Sequence, residues 1–110
     1  MKIKLELGQV SCRLSRKEAQ ALAADDAISE TVTLPGGAGY SVVIGTAEGL
    51  PAPQFSFDPA AASFVFYITP QDARLLAEKP IKTGVRGAFD QGEFVIEVDV
   101  KDFRPGKGKA

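Results

Sequence analysis

Cys12 is the only thiol in the chain and histidine is absent, so the groups that could do chemistry are carboxylates, hydroxyls, phenols and amines. Serine–histidine and cysteine–histidine catalysis are thereby excluded, along with the side chain best suited to proton transfer and transition-metal binding near neutral pH. Zinc sites draw on several Cys and His ligands, which one cysteine cannot supply. Cys12 shares a strand face with Val10 and Leu14, so its expected role is that of a small buried hydrophobe. PGGAGY, Pro35 to Tyr40, is the glycine-rich stretch that could suggest a phosphate cradle. It lacks a G-K-[ST] ending and leads into a strand pattern, so it reads as a hairpin loop. Glu97 and Asp99 share one face of the last strand, where a metal or an acid–base pair could form. Their alternation with Phe94, Ile96, Val98 and Val100 instead marks a solvated strand face. Asp90 and Glu93 flank a turn and read the same way. Lys101, Arg104, Lys107 and Lys109 form the one basic concentration. No aromatic-rich single-strand motif or recognition helix accompanies it, and nucleic-acid binding is not expected. No catalytic residue, metal site or cofactor is expected, and the position of any ligand site is unknown.

The elements that must position these groups follow from periodicity. Ile3, Leu5 and Leu7 alternate with Lys2, Lys4 and Glu6, as a half-buried strand requires. Gly8 and Gln9 are expected to turn the chain into a second strand, Val10 to Leu14. Ser15 and Glu18 have the spacing of a capping box, and Ala19, Leu22 and Ala23 form the apolar stripe of a short helix. A strand with Ile28, Val32 and Leu34 on one face and a strand from Tyr40 to Gly45 complete a hairpin. After the connection TAEGLPAP the same order begins again. Phe55 and Phe57 mark a strand, Ala62 to Ile68 the next, and Thr69, Pro70 and Asp72 open a helix whose stripe is Ala73, Leu76 and Ala77. Ile81 to Phe89 and Phe94 to Val100 make the last hairpin. SRKEAQALA (Ser15 to Ala23) and TPQDARLLA (Thr69 to Ala77) are therefore the same piece of architecture written twice.

The expected fold is α+β: two β-β-α-β-β repeats, 2–45 and 54–100, forming one mainly antiparallel sheet or partial barrel of about eight strands with two short helices. With 110 residues, 45% hydrophobic and 25% charged, the chain reads as a single domain, 1–110, with a flexible basic tail at 104–110. Thirteen basic against fourteen acidic residues create no general positive field for nucleic acid or anionic membrane. The opening residues lack the apolar run of a signal peptide and no stretch has spanning length, so a cytoplasmic protein without membrane contact is expected. A lone cysteine suits a reducing compartment.

In SFVFYI, Ser63 to Ile68, both strand faces are apolar: Phe64, Phe66 and Ile68 on one, Val65 and Tyr67 on the other. Val65 and Tyr67 are the candidate interaction surface, to be covered by the helices or by another chain. The leading expectation is a non-enzymatic binding or assembly module, as a homodimer or with another protein. The alternative is a small-ligand-binding protein or enzyme with its site at the junction of the repeats.

The opening KIKLELGQVSCRLSRKEAQALA and the closing FVIEVDVKDF resemble an uncharacterised family of small bacterial proteins, a domain of unknown function. Its members open with a K-I-R-like strand and an R-L-R-L-S-x-x-E segment and close with an E-K-D-F-like strand. Arg13, Leu14, Ser15, Glu18, Lys101, Asp102 and Phe103 carry the resemblance. Relatives often have a cysteine just after the final motif, where Arg104 and Pro105 stand here, so no thiol role is implied. The resemblance implies a small soluble protein of no established activity and assigns no catalytic residues.

Overall fold

The computed structural model describes residues 1–78 and 84–99. Ile81, Val100 and the basic tail 104–110, all placed by the sequence pattern, lie outside the described residues. Among those described, the order is β1 (Lys2–Glu6), β2 (Gln9–Leu14), α1 (Arg16–Ala23), β3 (Ile28–Thr33), β4 (Gly39–Thr46), β5 (Gln54–Asp58), β6 (Ser63–Ile68), α2 (Pro70–Glu78), β7 (Val85–Phe89) and β8 (Gly92–Val98), with a 3-10 turn at Pro35–Gly37. Strand, strand, helix, strand, strand thus runs twice.

The single sheet or partial barrel is corrected to two four-stranded sheets, β1-β2-β8-β7 and β3-β4-β6-β5. The physical reason lies in the helices. Each one carries the chain from a hairpin in one sheet to a hairpin in the other, so every sheet combines the first hairpin of one half with the second hairpin of the other half. The hairpins are antiparallel, and they join through parallel central pairs, β2 with β8 and β4 with β6. The halves correspond bond for bond. Val10 pairs with Phe94 as Phe64 pairs with Val42. The Glu93 N–H donates to the Gly8 carbonyl at 3.1 Å as Ser41 donates to Ala62 at 3.0 Å, and Asp99 donates to Leu14 at 2.9 Å as Ala47 donates to Ile68 at 3.0 Å.

Local chemistry starts and stops the helices. The Ser15 hydroxyl accepts from the Glu18 N–H at 3.2 Å, and the Glu18 carboxylate accepts from the Ser15 N–H at 2.9 Å, which closes the capping box. In the second half the Thr69 hydroxyl accepts from the Asp72 N–H at 3.1 Å. Helix α1 ends with Asp25 in the left-handed region, φ 67°. There Asp25 donates to Leu22 at 3.0 Å and Asp26 donates to Ala21 at 2.9 Å, the paired bonds of a Schellman stop. Ala19, Leu22, Ala73 and Leu76 are buried, and α1 and α2 pack on one another across the strand ends.

Two details of the first hairpin differ from the alternation rule. Glu6 pairs with Gln9, so the turn residues are Leu7 and Gly8, one place earlier than expected, with Gly8 at φ 79°. Leu7, expected to face inward, consequently stands in the turn and is fully exposed, whereas Leu5 keeps its inward register opposite Val10 but is half exposed. The seams between the sheets are unequal. Where β5 meets β7, Phe55 packs against Phe66, Phe89 and Phe94 at centroid distances of 4.8, 5.3 and 5.7 Å. The corresponding positions of the other half hold Ile3, Cys12, Val32 and Val42, and there a cleft of about 340 Å³ opens between β1 and β3.

Candidate functional site

Val65 and Tyr67 lie on the outer face of the β3-β4-β6-β5 sheet, with Phe64, Phe66 and Ile68 turned to the core. The helices do not cover Tyr67, which remains 42% exposed. Its ring lies across Gly45, where an added Cβ would stand 3.2 Å from Tyr67 Cε1. Absence of a side chain at Gly45 therefore lets the ring lie flat on the sheet. Register surrounds the pair with small or uncharged neighbours. Val65 sits between Val43 and Ser56, with Ser29 beyond, and Tyr67 sits between Gly45 and Gln54. A shallow cleft of about 310 Å³ runs beside them, bounded by Pro53, Gln54, Ser56 and Ala88.

The equivalent rows of the other sheet are built from charge. Where Tyr67 lies on Gly45, Arg13 pairs with Glu97, and the guanidinium Nη2 stands 3.2 Å from the carboxylate Oε1. Where Ser29, Val43, Val65 and Ser56 form one row, the counterpart is Arg86, Val95, Ser11 and Lys4. One outer face is thus studded with both signs of charge. The other carries no Lys, Arg, Asp or Glu on its outward strand positions except Asp58 at the end of β5.

The remaining sequence candidates scatter. Cys12 is fully buried, and burial in apolar surroundings pushes its thiol up to about 12, which leaves almost no reactive thiolate at neutral pH. Glu97 is engaged with Arg13. Asp90 stands in the β7–β8 turn and Glu93 on an exposed strand position. PGGAG forms the β3–β4 loop, with Gly36 and Gly37 at positive φ, and leads into a strand. Among the described residues no three His, Cys, Asp or Glu side chains converge as metal ligands, and no helix is long and apolar enough to cross a membrane. At the junction of the repeats an open cleft of about 410 Å³ is bounded by Asp25, Glu48 and Arg74. Asp25 there accepts a hydrogen bond from the Thr46 hydroxyl at 2.7 Å, so it serves the helix stop.

Near the start of β1, the Met1 amino group stands 2.8 Å from Glu18 Oε1 and 3.5 Å from Glu30 Oε2. Burial alone would raise the Glu18 carboxyl. The hydrogen bonds from the Met1 amino group and the Ser15 N–H, with the attraction of the ammonium, outweigh it and hold the group below the ordinary glutamate range.

Val65 and Tyr67 stand out in the sequence because both faces of SFVFYI are apolar, whereas their neighbours Gly45, Val43, Gln54 and Ser56 do not, because nothing local says which strands flank β6. Compared with models of known families and with curated proteins, the chain matches none.

Proposed function

We propose that the chain is a non-enzymatic protein-binding or assembly module whose contact surface is the outer face of the β3-β4-β6-β5 sheet, centred on Val65 and Tyr67. One observation carries this reading: the duplicated scaffold holds a charged pair at Arg13 and Glu97 where this face holds Tyr67 on Gly45. A charged strand face is expensive to desolvate, whereas a face of valines, serines and an anchored tyrosine costs less, its hydroxyls needing only a hydrogen-bond partner across the contact. Tyrosine on a rigid sheet also suits a contact hot spot, since few rotamers must be frozen. A symmetric dimer is the first arrangement to test, being the commonest small assembly. The resemblance to small bacterial proteins without established activity accords with a module of this kind. A cytoplasmic setting accords with the single buried thiol.

The test is sedimentation of the wild type, a Tyr67→Glu variant and an Arg13→Glu control, with copurification from cells in parallel. A dimer or a copurifying protein that is lost in Tyr67→Glu, with its fold intact by circular dichroism, and kept in Arg13→Glu supports the surface. A wild type that stays monomeric at all accessible concentrations and retains no protein removes it.

A further inference from the structure

Apart from the Tyr67 face, a second group of large apolar side chains is exposed among the described residues. Both helices lie across one end of the two sheets, because each follows the end of a central strand and precedes an edge strand. All four hairpin turns therefore gather at the opposite end, where Gly92 packs against the Gly8 backbone and Ser41 bonds to Ala62. Inward-facing residues lose cover toward that end. Along β5, Phe55 is half-buried and Phe57 is 47% exposed; along β1, Ile3 is half-buried, Leu5 is 54% exposed and Leu7 in the turn is bare. Leu34, at the start of the β3–β4 loop, is 44% exposed. Four of the six large exposed hydrophobics among the described residues thus sit at this open end, the other two being Tyr67 and Leu75.

The turn segments themselves carry charge of one sign, on three of the four turns. Segments 5–10, 33–40, 57–64 and 88–94, which form the four turns and their flanks, contain no Lys or Arg and four carboxylates: Glu6, Asp58, Asp90 and Glu93. All four are exposed. Lys4 reaches Glu6 at 3.8 Å from the strand behind, an exposed pair that solvent screens. Asp58 turns one oxygen to the Ala60 and Ala61 N–H groups.

From the exposed apolar side chains at this end and the carboxylate rim on three of its four turns, we propose that the open end binds a segment of another protein in which Lys or Arg residues flank an aliphatic or aromatic anchor. Charge complementarity selects the occupant. A second copy presented end to end would set four carboxylates against four, and an anionic membrane or a nucleic acid would be repelled by the same rim. The site lies away from the Tyr67 face, so the two readings stand or fall separately.

The experiment is fluorescence anisotropy of a labelled synthetic peptide with a Leu-Phe centre flanked by lysines, against a twin with glutamates in their place. The lysine peptide is expected to bind and to weaken as salt rises, and the glutamate peptide not to bind. Leu7→Ser, at a fully exposed side chain, and the double change Asp90→Lys/Glu93→Lys should each weaken binding by about tenfold or more. Tyr67→Glu should leave it unchanged. Failure of the lysine peptide to bind, equal binding of the twin, or indifference to both variants overturns the proposal. So does a self-association lost in Leu7→Ser, or uptake by phosphatidylcholine vesicles that depends on Leu7.

Discussion

At the scale of single residues the duplication offers its own controls. Gly8 and Ala62 occupy equivalent places before β2 and β6, each accepting one backbone hydrogen bond from the partner strand, and both have positive φ, 79° and 50°. Glycine takes that conformation freely, whereas an alanine Cβ crowds the following carbonyl. Ala62→Gly is therefore expected to stabilise the protein by about 0.5–1 kcal/mol, and Gly8→Ala to destabilise it by about 1 kcal/mol. A Cβ at Gly8 would meet nothing closer than 3.9 Å, so the cost there is conformational. Urea denaturation midpoints of the two variants would show opposite shifts. Glu18 gives a second prediction. Its carboxyl is held below its unfolded value, so it adds stability above the ordinary glutamate range and loses that contribution as pH falls through the lower folded value. Glu18→Gln should accordingly show a flatter loss of stability below about pH 4.3 than the wild type, measured by denaturation across an acid series. Equal acid slopes would mean that the capping carboxylate is not linked to folding.

At the scale of elements, each helix buries one leucine and one alanine in full, Leu22 with Ala19 and Leu76 with Ala73, and the two helices meet over the strand ends. Truncation of either leucine leaves a cavity between rigid neighbours. Leu22→Ala and Leu76→Ala are each expected to cost about 2–5 kcal/mol. Since both side chains belong to one packed layer, the double variant should depart from additivity. Guanidinium unfolding of the two singles and the double measures both quantities, and near-wild-type midpoints for the singles would show that the helices contribute little to the core. The helices were the most legible elements in the sequence, because hydroxyl caps and i, i+3 stripes are local signals. Hairpin turns were less so: Glu6 pairs with Gln9, and no local rule chose between that register and one a residue later.

At the scale of the whole molecule, the seam between β5 and β7 depends on one missing side chain. A Cβ on Gly87 would lie 2.4 Å from Phe94 Cζ and 3.0 Å from the Pro53 carbonyl oxygen, and Phe94 is fully buried. Gly87→Ala should destabilise the fold by about 1–3 kcal/mol through overpacking. Phe94→Leu in the same chain should recover part of that loss, since it shortens the side chain that clashes. Thermal denaturation of the single and double variants decides it, and a Gly87→Ala protein as stable as wild type would show that the ring can move aside. From residues alone came the repeat, the capped helices, the buried place of Cys12 and the two apolar faces of SFVFYI, because capping and alternation act over a few neighbouring residues. Only the tertiary structure decided that the hairpins divide into two sheets, that Gly45 lies under Tyr67, and that four turns, three of them acidic, converge on one open end. Those facts depend on which strands pair across the chain, Gly45 with Tyr67 and Val10 with Phe94, a choice made by burial of the shared core and not by any local preference.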